Sequence, residues 1–401
     1  GREPSGAGTL DLSAGLVRIT GGRFSLGKTG GSQKPLVIEN VNLELRDFSP
    51  SSEFPFTLTA TVAGGDIRLN GKAGPIEGSD VALSPLSFSL DVNKLNLADA
   101  LAGILPGAAG IASLHAAGSS GGGRLEVRGK LSAEGLKLVN NGKPAQRTVE
   151  LDFAAFYDLI KRSGALERNT LRIGAAAASL TGTYSEQGIS LVLNMKFEGN
   201  RMPVPELAEL LPPLGLELPK GSKFVGGVAS AAFTVEGPAA SFTAAGEVTF
   251  ENARLAGFDL GTKMKILEKL AGIRSDPNTE IRVLNARLKY SSQGTAVEQL
   301  RLVAGGIGEL NGSGKVSPAG ELDFTMSALI ETTRSAALSR TPVPFFIQGT
   351  AADPVFRPDV RGLAAAQVKS LLESERAGKA KEKLGGAVGG LLDNLLGGKK
   401  K

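Results

Sequence analysis

Cysteine and tryptophan are both absent from the 401 residues, and there is a single histidine, His115. Without cysteine the chain has no disulfides, no thiol nucleophile and no thiolate zinc site. One histidine excludes a histidine-rich metal centre, and no D-x-D-x-D-G calcium loop occurs. Aromatic residues make up only 5% of the chain, which does not favour a bulky globular core. No run approaches the ~18 consecutive apolar residues of a membrane span. The nearest, Leu101 to Ala112, is short and broken by Pro106 and several glycines. The chain opens at Gly1 and shows no basic-then-apolar signal segment. It is read as a fragment or processed chain, soluble or peripheral, with any anchor outside it.

Charge is scarce where it would matter for nucleic acid. Of the net +5, the segment from Gly362 onward supplies +4, from eight basic and four acidic residues. The remaining body is nearly neutral, which excludes the clustered basic face of a nucleic-acid binder.

What is abundant is glycine, 54 residues, together with strict two-residue alternation. Phe54, Phe56, Leu58, Ala60 and Val62 alternate with Pro55, Thr57, Thr59 and Thr61. Ile189, Leu191, Leu193, Met195 and Phe197 form a second run, and Leu322, Phe324, Met326, Ala328 and Ile330 a third. Leu125–Leu131, Val149–Phe153 and Phe242–Phe250 repeat the pattern more weakly. Period two is the mark of a strand with one apolar and one polar face. A change of register at Gly21-Gly22 reads as a bulge. Turns are expected at Gly64-Gly65, Asn70-Gly71, Gln187-Gly188, Asn311-Gly312 and Ala319-Gly320.

Helices are expected at Leu95–Ile104 behind an Asn93 cap, at Pro203–Leu211, at Gly261–Ile273 and from Val360 through Leu372. They are too few to cover the apolar side of so much sheet. The fold is therefore mainly β: an elongated, twisted antiparallel sheet or groove of about twenty strands with a few short helices. A sandwich and a self-facing groove both remain open. Three regions are expected: an N-terminal sheet region over 1–115, a C-terminal groove region over 116–361, and a Gly- and Lys-rich tail over 362–401. In the tail, Leu384, Val388, Leu391 and Leu395 have helical spacing, but Gly385, Gly386, Gly389 and Gly390 weaken that helix. A weak helix or disorder is expected there, rather than a membrane-surface helix.

Three catalytic patterns fail on context. Gly22-x4-Gly27-Lys28-Thr29 matches a phosphate-binding loop literally, but Phe24 and Leu26 alternate inside it and Gly30, Gly31 and Pro35 forbid the required helix. Gly118-Ser119-Ser120-Gly121-Gly122 matches a nucleophile elbow, but it sits among small residues and reads as a linker or loop. Asp353 and Asp359 could pair as acid and base, yet Pro354 and Pro358 beside them favour turn and cap roles. The chain is read as non-enzymatic and without cofactors.

Several segments resemble the AsmA family. They are Gly142-Lys143-Pro144-Ala145 leading to Val149-Glu150-Leu151-Asp152-Phe153; Pro205-Glu206-Leu207 through Leu218-Pro219-Lys220-Gly221-Ser222; Glu251-Asn252-Ala253-Arg254 through Gly257-Phe258-Asp259-Leu260-Gly261; and Pro344-Phe345-Phe346-Ile347-Gln348-Gly349 followed by Pro354-Val355-Phe356-Arg357-Pro358-Asp359. The likeness covers about residues 10–361 and is most specific over 200–361. It implies a periplasmic protein tethered to the inner membrane by an N-terminal helix and serving outer-membrane biogenesis, akin to TamB-type repeating β-groove chains. The implied partners are phospholipid or another acyl lipid and factors of outer-membrane protein assembly. The expected lipid-lining residues are Phe54, Phe56, Leu58, Leu191, Leu193, Met195, Phe324 and Met326. The alternatives are an assembly scaffold that holds client strands at its sheet edges, and a secreted β adhesin.

Overall fold

The structure is a computed structural model, which describes residues 13–26, 35–76, 83–102, 105–188, 190–264, 276–330 and 342–362. The alternating runs become strands: β1 (Ala14–Leu26), β2 (Leu36–Phe48), β3 (Phe54–Val62), β4 (Gly65–Ala73), β5 (Leu86–Asn96), β6 (Ala109–Gly121) and β7 (Arg124–Lys137). Next come β8 (Val149–Asp158), β9 (Ser163–Ile173), β10 (Ala176–Gln187), β11 (Ser190–Pro203), β12 (Lys223–Val225), β13 (Val228–Pro238) and β14 (Thr243–Ala256). The chain continues through β15 (Asn278–Ser291), β16 (Gly294–Ala304), β17 (Gly308–Val316), β18 (Leu322–Ile330), β19 (Val343–Gly349) and β20 (Pro354–Pro358).

All twenty lie in one antiparallel sheet, and β1 and β20 each pair on one side only among the described residues. The sheet is therefore open, not closed into a barrel. Each strand pairs with its successor, except that β12 and β13 lie end to end along β14. At ~4.8 Å per step the meander spans roughly 85 Å across its strands. The expected boundary at 115/116 falls inside β6, whose pairing with β5 and β7 runs straight through it.

The two rims of the sheet differ. Short helical segments lie on one rim: α1 (Leu97–Ala100), α2 (Val204–Ala208), a 3-10 turn (Pro212–Leu214) and α3 (Leu260–Lys263). The opposite rim consists mostly of connections of a few residues, such as 122–123, 159–162 and 239–242. α1 and α2 are shorter than the sequence predicts. α1 is capped by Asn96, whose side chain accepts from Ala98 N at 2.9 Å, and not by Asn93. Asn93 still belongs to β5, paired with Asp66, so the helix starts only where the ladder ends. α2 begins at Pro203-Val204-Pro205, as expected of a proline-rich first turn. In α3, Asp259 accepts from Thr262 N at 2.8 Å. Residues 265–275 of that expected helix, and the tail beyond 362, lie outside the described residues.

The core follows the helical rim. Val204, Phe258, Leu260 and Met264 pack with Ala229, Ala253, Ile281 and Ala304. Leu97 packs with Ala112 and Ala133. Small alanines on the strands let the short helices sit close. The buried Thr279 hydroxyl accepts from Leu260 N and donates to the Phe258 carbonyl at 2.7 Å, fixing the entry to α3. The Gly21-Gly22 bulge is present between Ile19 and Phe24.

Candidate functional site: one continuous apolar face

Cross-strand partners share a face, so register decides which apolar runs belong together. Phe56 pairs with Gly71, Gly71 with Phe88, Phe88 with Gly118 and Gly118 with Val127. The row continues through Ala155, Leu166 and Gly182 to Met195. From Met195 it passes Val235, Ala244, Tyr290, Thr295 and Val316 and reaches Leu322. Leu322 shares its face with Phe324 and Met326, two and four residues further on. All eight expected lining residues therefore lie on one face of the sheet.

They are not equally accessible. Phe56, Leu58, Leu193 and Met195 are half-buried, and Leu191 is 37% exposed at the turn rim. Phe54 and Met326 are buried, and Phe324 is 8% exposed within the main core cluster. The face is thus sealed toward the helical rim and near β18, and accessible at Phe56 and Leu58 in the middle of β3 and along the turn-rim half of β11. Ile189 lies outside the described residues.

Two of the expected turns are instead part of this face. Asn70-Gly71 lies within β4 and Asn311-Gly312 within β17. A Cβ on Gly71 would stand 3.0 Å from the Phe56 ring, and one on Gly312 would collide with Met326. Glycine here clears space for a large side chain of the next strand, a role that composition alone assigns to turns. Gly118 belongs to the same group: it lies in β6, not in a linker, and a Cβ there would be 2.7 Å from the Phe88 ring.

Polar groups interrupt the face at two places. Buried Asn169 accepts from Ala154 N and donates to the Leu180 carbonyl, each at 2.8 Å. It fills the register shifts of β9 with β8 and β10. At the turn rim, Tyr157 and Tyr184 stack with centroids 6.1 Å apart. Tyr157 donates to Glu186 at 2.6 Å, and Arg162 Nε donates to the same carboxylate at 2.9 Å. The Tyr157 hydrogen bond and then Arg162 hold Glu186 below its ordinary value, and Glu186 raises the Tyr157 phenol. This cluster escapes a reading of the sequence because its members lie on three elements joined only by register.

No protein-family model matches the chain, and comparison with curated proteins and with solved structures finds no match.

The other side of the sheet is polar. Ion pairs run across it, among them Arg287 with Glu247 at 2.6 Å, Arg301 with Glu309 at 2.9 Å and Lys130 with Glu150 at 2.9 Å. A trough of about 960 Å³ is lined by Lys289, Lys315 and Asp323 together with Ala244, Tyr290 and Leu322 of the apolar row, and holds none of the eight expected lining residues.

The catalytic patterns are dispersed. His115 pairs with Asp91 at 2.6 Å on the polar side, whereas Ser120 lies on the apolar side opposite Leu86 and Leu125. A five-residue separation along one strand puts the two on opposite faces. Asp353 and Asp359 stand at opposite ends of β20, and Asp359 accepts from Gly362 N at 2.9 Å. Gly22 lies in the β1 bulge, and residues 27–34 lie outside the described residues. Among the described residues, no helix is long and apolar enough to cross a membrane, and no three His, Asp or Glu side chains gather as metal ligands.

Proposed function

We propose that this chain is a non-enzymatic, AsmA-like periplasmic protein that binds or conducts phospholipid or another acyl lipid along its apolar face. In this reading it is tethered to the inner membrane and serves outer-membrane biogenesis. The observation that carries the proposal is the predominantly apolar face whose register runs from Phe56 on β3 to Leu322 on β18, interrupted by polar groups only locally. Acyl chains gain about 0.8 kcal/mol per methylene removed from water and need no fixed polar partner. A long face with accessible apolar side chains at Leu191 and Leu193 suits such a ligand. The sequence segments that resemble the AsmA family supply the cellular setting.

The test is native mass spectrometry of the purified chain, with solvent extraction of bound material. Phospholipid at near-stoichiometric amounts, lost on Leu193→Asp in a chain with unchanged circular dichroism, supports the proposal. A stable, lipid-free chain overturns it and shifts the reading to a scaffold for outer-membrane protein assembly.

A further inference from the structure

The two outer strands of the sheet are built differently. β20 is five residues long and has proline at both ends. Asp359 N donates to the Pro344 carbonyl of β19 at 3.1 Å. By alternation, the amides of 355 and 357 also face β19, and positions 354, 356 and 358 face outward. Two of those three are Pro354 and Pro358, which have no amide hydrogen, so Phe356 is the sole outward donor of this strand. An edge of this kind resists further pairing.

β1 has none of these features. It is thirteen residues long, contains no proline and pairs only with β2 among the described residues. On its apolar side, Ile19 is 47% and Phe24 is 54% exposed, whereas Val41 and Ala60 on the next two strands are buried. On its polar side stand Arg18 and Arg23, with no acid in the strand. β2 meets them with Glu44 at 2.8 Å and Glu39 at 3.4 Å, and both guanidinium groups remain exposed.

We infer that β1 is the acceptor edge for one further strand, supplied by a protein partner. That strand is an extended amphipathic segment with carboxylates on its polar side and aliphatic or aromatic residues on the other. Main-chain hydrogen bonds along β1 supply affinity, cover of Ile19 and Phe24 adds apolar burial, and Arg18 and Arg23 select for acid. A second copy of this chain is a poorer match. Pairing two β1 strands with their apolar sides together would gather four arginines on one polar surface with no new carboxylate opposite them.

The test uses the wild-type chain and two synthetic 13-residue peptides that alternate Val or Phe with Thr and Glu, or with Thr and Lys. The acidic peptide is expected to bind at least about tenfold more tightly than its lysine counterpart. Hydrogen exchange should show protection gained at 14–26 and none at β20. Arg18→Glu with Arg23→Glu should invert the peptide preference. If that variant does not fold, the wild-type peptide comparison and exchange pattern decide alone. Equal affinity for both peptides overturns the inference, as does protection spread over the apolar face. A concentration-dependent dimer with β1 protected in the absence of peptide also overturns it, and assigns the edge to a second copy.

Discussion

The ring of Phe56 on β3 lies across Gly71 on β4, close enough that a Cβ at 71 would stand 3.0 Å from it and would also strike the Ser87 carbonyl. Gly71→Ala should therefore destabilise the fold by about 1–3 kcal/mol, the usual cost of overpacking. Urea unfolding would measure it. Adding Phe56→Ala should recover only part of the loss, because the Ser87 backbone cannot retreat as a ring can. Full recovery would mean that the ring alone sets the constraint.

Leu193 and Phe324 share the apolar face but should respond differently to a charge. Phe324 is packed within the core cluster, so Phe324→Asp should lose several kcal/mol and fail to fold. Leu193 is half-exposed, so Leu193→Asp should keep its circular dichroism and thermal transition and lose lipid. A folded Phe324→Asp chain would show that the face near β18 is looser than described.

Asn169 should be costly to replace. Asn169→Ala leaves the Ala154 amide and the Leu180 carbonyl without their partner, an expected loss of about 1–3 kcal/mol. Chemical denaturation of the variant would check this. An unchanged midpoint would mean that water takes over both bonds.

The Tyr157–Glu186–Arg162 cluster should loosen in acid. Glu186 titrates below its ordinary value because of Tyr157 and then Arg162. A depressed carboxylate contributes above its unfolded value and loses that contribution as pH falls through the folded one. Hydrogen exchange at 157–163 should quicken as pH drops below the usual carboxylate range, after correction for intrinsic rates. Glu186→Gln should flatten that dependence. An identical acid response in the variant would assign it elsewhere.

The sequence by itself determined the class of fold and many of its strands. The alternating runs at Phe54–Val62 and Leu322–Ile330 coincide with β3 and β18, because period two is a local property that needs no neighbour to be read. Short turns at Gly64-Gly65 and Ala319-Gly320 were legible for the same reason. The tertiary structure alone decided which way each run faces relative to the next. Period two sets the faces within a strand, but a one-residue slip between strands exchanges them, so the continuity from Phe56 to Leu322 exists only in the register. Gly71 and Gly312 follow the same logic. Their Asn-Gly pairs resemble turns locally, yet a ring on one neighbour and a thioether on another required a residue without a side chain. α1 and α2 were overestimated because β5 and β11 extend into the expected segments, their ladders pairing Asn93, Leu95, Asn96 and Pro203.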